Sequence, residues 1–300
     1  MKLAARLASA IAAVSLVTVA AFGAAKLQLA PYKDELFKYP KVLTTAYGGD
    51  YVVVEFNQKR DVIDRDDKPD ERTRAEYVSL EVKSVEADLV LESGDLTVKY
   101  VGVGKTSGRA AIVVVFIHGW QATRFDGAND WRSGGNLNRI KNLMVRAGGA
   151  YLSADYSNDR RTASRQIRAL IDAYAINSPG APIILACASL GARVCWDLAR
   201  DPGAAALIDG MIFFAGVSDG VFPRTAAARD PSKRIPIYLS HGNRDNRVGW
   251  RQQERLFKGL KAAVPDYPIK LAVFDTGTHR TPLRMTDWRL VLNWMLSLRR

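Results

Sequence analysis

From Ala111 onward the sequence alternates short apolar runs with amphipathic stretches, and this alternation constrains the fold more than any other feature. Ile112-Val-Val-Val-Phe-Ile117 carries no polar side chain, as in a strand whose sheet is covered on both faces. Arg139 to Arg146 reads as a helix ended by Gly148-Gly149, and Ala150–Asp155 as the next strand. Arg161 to Ala175 is an amphipathic helix stopped near Pro179 and Gly180. Pro182–Cys187 is a strand and Leu190–Arg200 a helix. Leu207–Ala215, Ile235–Leu239 and Ile269–Phe274 are further strands, with helices at Trp250–Ala263 and Thr286–Leu298. The pattern predicts an α/β fold with a mainly parallel sheet and helices on both faces.

Upstream the pattern is different. Lys26 to Tyr47 reads as an irregular lead-in broken by Pro31 and Pro40, followed by a strand at Tyr51–Phe56. Lys59 to Glu76 alternates acids and bases around Pro69, the signature of a solvated connection, with a docking loop as the alternative. Strands at Tyr77–Val82, Ala87–Leu91 and Leu96–Val101 predict an antiparallel start to the sheet. Gly102-Val-Gly104-Lys105-Thr106 lacks the spacing of a phosphate loop and reads as a hairpin turn.

Before this body, Lys2 and Arg6 precede an uncharged run from Leu7 to Ala25 that ends in small residues. A basic start, an apolar centre and a small-residue end describe a secretory signal peptide, with an uncleaved membrane anchor as the rival reading. Residues 1–25 are therefore expected to direct export, and residues 26–300 to form one domain. The formal charge is +12, of which Lys2 and Arg6 supply two. The excess suits contact with an anionic membrane surface, although the cations are spread rather than clustered and serve solubility equally well. No aromatic-basic platform or reading motif points to nucleic acid. The two cysteines, Cys187 and Cys195, flank a strand-to-helix turn. A disulfide there is expected to distort the turn, so both are read as small packing residues.

Chemistry concentrates just past the carboxyl ends of strands, where open α/β sheets form their sites. Cys187-Ala-Ser189-Leu-Gly191 joins a strand directly to a helix. A serine on so sharp a turn is pushed out of the sheet, and small neighbours are needed on either side. The Leu190 amide then faces a developing oxyanion. His118-Gly119-Trp120 ends an earlier strand and offers a second amide, from Trp120 or Gln121. Asp245 follows His241-Gly242 after a later strand, and Asp219 is the fallback acid. His279 ends the last strand's loop and has the pKa range suited to a general base. The chain holds three histidines, all of them in this pattern, without the spacing of a zinc site.

With His118-Gly119, the Ser189 turn, His241-Gly-x-x-Asp245-x-x-Val248 and His279 in that order, the chain from about Tyr77 onward resembles the α/β-hydrolase superfamily of serine esterases and lipases. The resemblance implies an eight-stranded sheet whose second strand is antiparallel. It also implies Ser189 as nucleophile, Asp245 as acid and His279 as base, with no cofactor and no metal. One departure is Cys187, where the family usually has glycine.

The gap from Ala215 to Arg234 is too short for a full cap, leaving the site open or walled by the loop Gln121 to Asn138, with Phe125 and Trp131. The expected activity is that of an exported ester hydrolase, acting on a small-molecule or lipid ester. The alternatives are a peptidase or amidase on the same triad, and a catalytically silent, membrane-tethered binding protein.

Overall fold

The computed structural model describes residues 27–299; the expected export segment lies outside them. The strands in chain order are β1 (Val42–Ala46), β2 (Tyr51–Glu55), β3 (Asp66–Lys68), β4 (Arg72–Thr73), β5 (Glu86–Ser93) and β6 (Leu96–Gly104). There follow β7 (Val113–Ile117), β8 (Ala150–Ala154), β9 (Ile183–Ala188), β10 (Gly210–Phe214), β11 (Ile237–Gly242) and β12 (Ile269–Asp275). β3 and β4 pair as a small hairpin, and the rest build one ten-stranded sheet in the order β1-β2-β12-β11-β10-β9-β7-β8-β6-β5. β6 runs antiparallel to both of its neighbours, β5 and β8, as the resemblance implies.

Ten strands replace the eight expected. The count of eight came from a resemblance that starts near Tyr77, upstream of which β1 and β2 add to the far edge. β2 lies parallel to β12, from Tyr51 opposite Leu271 to Glu55 opposite Asp275. Its valines cover an edge that β12 would otherwise leave with unpaired amides and carbonyls.

Alternation along the central strands builds two cores. Val113, Val115 and Ile117 point to the face covered by the helices Arg160–Asn177, Ala192–Arg200 and Arg251–Ala263. Ile112, Val114 and Phe116 point to the face covered by Asn136–Arg146 and Trp288–Ser297. The helix Arg160–Asn177 starts where the Asp159 carboxylate accepts the Thr162 amide at 2.9 Å. No helix among the described residues is long and apolar enough to cross a membrane.

Three upstream expectations are corrected. Tyr77–Val82 is not a strand, because 3-10 turns occupy Ala75–Tyr77 and Leu80–Val85. The lead-in is irregular only in part, since it holds a helical turn at Asp34–Phe37 and strand β1, and with it residues 78–86 roof the helix Asn136–Arg146. Arg139 and Lys141 are fully buried as a result, Arg139 against Asp34 and Asp287, and Lys141 against Glu86 and Asp130. Finally, Lys59–Glu76 is not a solvated connection. Asp61, Arg65, Asp66 and Thr73 are buried in it. Arg284 holds Asp66 through both guanidinium nitrogens, at 2.6 and 3.0 Å, because a buried carboxylate must be paired to offset its lost hydration.

Candidate active site

Three loops at the carboxyl edge of the sheet meet in one place. The first is the turn from β9 into the helix Ala192–Arg200, where Ser189 adopts φ +50°. A left-handed backbone costs a non-glycine residue about 1–2 kcal/mol, so the packing around it must hold it there. At Gly191 a Cβ would fall 2.3 Å from the carbonyl oxygen of His118, so only glycine lets the turn reach the β7 loop. The second and third loops follow β11 and β12. They approach so closely that a Cβ on Gly242 would sit 2.3 Å from the Gly277 carbonyl oxygen.

Ser189 Oγ lies 2.9 Å from His279 Nε2, and His279 Nδ1 lies 2.6 Å from Asp245 Oδ2. A carboxylate only accepts, so Nδ1 carries the proton and Nε2 presents its lone pair to the serine hydroxyl. Asp245 Oδ2 also accepts from His241 Nε2 at 3.0 Å, while Oδ1 accepts the amides of Arg247 and Val248 at 2.8 and 3.0 Å. Burial by itself raises the Asp245 pKa, but these hydrogen bonds, led by those from His241 and His279, outweigh it and hold the carboxyl well below the usual range. His241 Nε2 also meets the Val248 carbonyl oxygen at 2.9 Å, which requires the proton on that nitrogen. His241 thus fixes the acid from behind.

His118 is likewise structural in its side chain. Nδ1 contacts the Gly119 carbonyl oxygen at 2.8 Å, and the ring stacks on Tyr156. Burial pushes its pKa down. Asp219, the fallback acid, is occupied elsewhere: it accepts the amides of Val221 and Phe222 and pairs with Arg200.

The cysteines overturn their expected role. Cys187 and Cys195 form a disulfide, with Cα atoms 6.5 Å apart. The feared distortion does not arise, because the helix folds back over the strand that precedes it. Cys187 faces the same side of the sheet as Leu185, and Cys195 belongs to the helix stripe Ala192, Cys195, Trp196, Ala199 packed on that side. The bridge therefore closes across the turn that carries Ser189. Strand alternation combined with helix periodicity was the signal that could have found it.

Ser189 and His279 open into a cleft of about 960 Å³, which Leu190, Trp120 and Gln121 also line. Five of the six site residues of the sequence reading thus line the cleft, and the sixth, Asp245, is buried behind His279. Phe116, Phe214 and Leu283 give the cleft an apolar floor. The expected wall is only partly right. Phe125 and Trp131 do not line the cleft; their rings lie beneath Arg124 and Arg72 instead.

The sequence matches no known family model and no curated protein. Solved structures do match in shape. A Pyrococcus furiosus esterase overlays with TM-score 0.52 at 14% identity, covering 73% of this chain and 95% of the esterase. A dienelactone hydrolase from Anabaena variabilis gives 0.50 at 16% identity, covering 72% and 98%. A thermostable esterase gives 0.53 at 16% identity, over 72% of this chain and 64% of the other. The chain has the α/β-hydrolase fold. At these identities the likeness establishes architecture alone, and within the α/β-hydrolase fold function has to be argued from the site.

Proposed function

We propose that this protein is an exported serine hydrolase of carboxylic esters. The observation that carries the reading is the hydrogen-bonded chain from Ser189 Oγ through His279 to Asp245, opening on a cleft with an apolar floor. In the first half-reaction Ser189 Oγ attacks the acyl carbon while His279 Nε2 takes its proton. The amides of Leu190 and of Trp120 or Gln121 receive the oxyanion. His279 then protonates the leaving alcohol, giving the acyl-enzyme. In the second half-reaction His279 deprotonates a water, which attacks the acyl carbon and releases the acid. Asp245 stays ionised throughout, holding the imidazole in register and stabilising its cation.

Two observations support the remainder. The disulfide suits an oxidising compartment and so favours export. Trp120, at 70% exposure on the cleft rim, suits insertion at a lipid surface, which favours lipid acyl esters among the possible substrates. The test is a panel of fatty-acyl esters of increasing chain length alongside aminoacyl amides, run on wild type and Ser189→Ala. Ester turnover that disappears in the variant is expected. Preference for the amides moves the protein to the peptidases, and no turnover of either class leaves it a silent binding protein.

A further inference from the structure

Seven charged side chains line the cleft: Asp70, Glu71, Asp126, Arg132, Arg247, Arg280 and Arg284. Five of them are neutralised within the protein. Arg284 pairs with Asp66 at 2.6 Å and with Asp70 at 3.1 Å, Glu71 with Lys68, and Arg132 with Asp126 at 3.1 Å. Among the described residues, the guanidinium groups of Arg247 and Arg280 have no hydrogen-bond or ion-pair partner. The cleft therefore presents two uncompensated positive charges, both from the loops that carry Asp245 and His279. Arg280 adjoins His279, and Arg247 lies two residues beyond Asp245.

That placement has a chemical meaning on the proposed mechanism. The alcohol leaves against His279, which must protonate its oxygen, so groups flanking His279 face the alcohol half of the ester. We propose that Arg247 and Arg280 form an anion subsite for the alcohol half, so that the substrate is an acyl ester whose alcohol carries a carboxylate or phosphate. Planar guanidinium groups suit both anions through paired hydrogen bonds. This inference rests on the hydrolase reading above. A phospholipid headgroup and a soluble acid ester would each supply such an anion, and the two arms of the test separate them.

In the soluble arm, kcat/KM is compared for 3-(carboxymethyl)phenyl butyrate and its uncharged carboxamide, which share the acyl group and the shape and differ in the charge of the phenol that leaves. In the lipid arm, hydrolysis is compared between vesicles of phosphatidylglycerol and of phosphatidylcholine. Wild type is expected to favour the anionic partner by about tenfold, a modest figure because both arginines are exposed and screened. The preference shrinks as salt is raised. The double variant Arg247→Gln/Arg280→Gln brings the ratio to within about twofold of one, and Arg280→Glu drives it below one. Preference in the soluble arm alone assigns a free acid ester, and preference in vesicles alone assigns a headgroup. Preference in neither arm, or a ratio untouched by the double variant, overturns the subsite while leaving a Ser189-dependent esterase in place. Absence of any Ser189-dependent hydrolysis overturns both readings.

Discussion

The bridge between Cys187 and Cys195 closes a loop of sequence separation 8 that contains the nucleophile turn. In the chain-entropy account, a cross-link over that span removes about 8 cal/mol/K from the unfolded ensemble, or about 2.5 kcal/mol at 25 °C. The body from 27 to 299 has an unfolding entropy of roughly 0.6 kcal/mol/K near its midpoint, so losing the bridge lowers Tm by about 4 °C. Both sulfurs are fully buried, so Cys187→Ala/Cys195→Ala also loses packing and falls about 1–2 °C further. The assay is a thermal melt of three samples: oxidised wild type, wild type refolded in reductant, and the double variant. Alkylation followed by mass measurement reports thiol state in each. Two results refute the reasoning: thiols in native protein that alkylate without prior reduction after unfolding, or a reduced sample melting within 1 °C of the oxidised one.

Other outcomes follow from the site's geometry. Gly191→Ala places a Cβ against the His118 carbonyl oxygen, so the turn must open; hydrolysis measured on soluble protein is expected to fall at least about a hundredfold. Asp245→Asn sets an amide N–H₂ or a lone acceptor where His241 and His279 both donate, favouring the wrong His279 tautomer; kcat is expected to fall about 10³–10⁴-fold in steady-state assays. The same substitution tests linkage. The folded Asp245 pKa is depressed, so its stabilisation is fully present above the unfolded carboxylate value near ~3.9 and is lost as pH falls below it. The gap in Tm between wild type and Asp245→Asn is therefore constant from pH 7 to 5 and narrows below pH 4.

Much of the fold was legible because the central strands are buried on both faces, which leaves a run such as Val113–Ile117 no room for polar residues. The site was legible for a related reason: Ser189, Asp245 and His279 each sit just beyond such a run, where the chain must turn at one sheet edge. What escaped depended on contacts between distant segments. Arg139 and Lys141 look like a solvent-facing helix stripe, yet Asp34, Asp130 and Glu86 arrive from elsewhere to bury them. The charges of Lys59–Glu76 left docking as the lesser reading, because the partner that buries Asp66 is Arg284, more than two hundred residues away. The unpaired state of Arg247 and Arg280 was invisible for the converse reason: a lack of partners shows only when every neighbour is in place.

The most direct measurement is covalent. Incubation with a fluorophosphonate, followed by digestion and mass analysis, reports whether a hydroxyl in this chain is activated by a neighbouring base. The account predicts one adduct per molecule on the peptide containing Ser189, absent in Ser189→Ala and strongly slowed in His279→Ala. An unlabelled wild type, or an adduct that persists in Ser189→Ala, contradicts it.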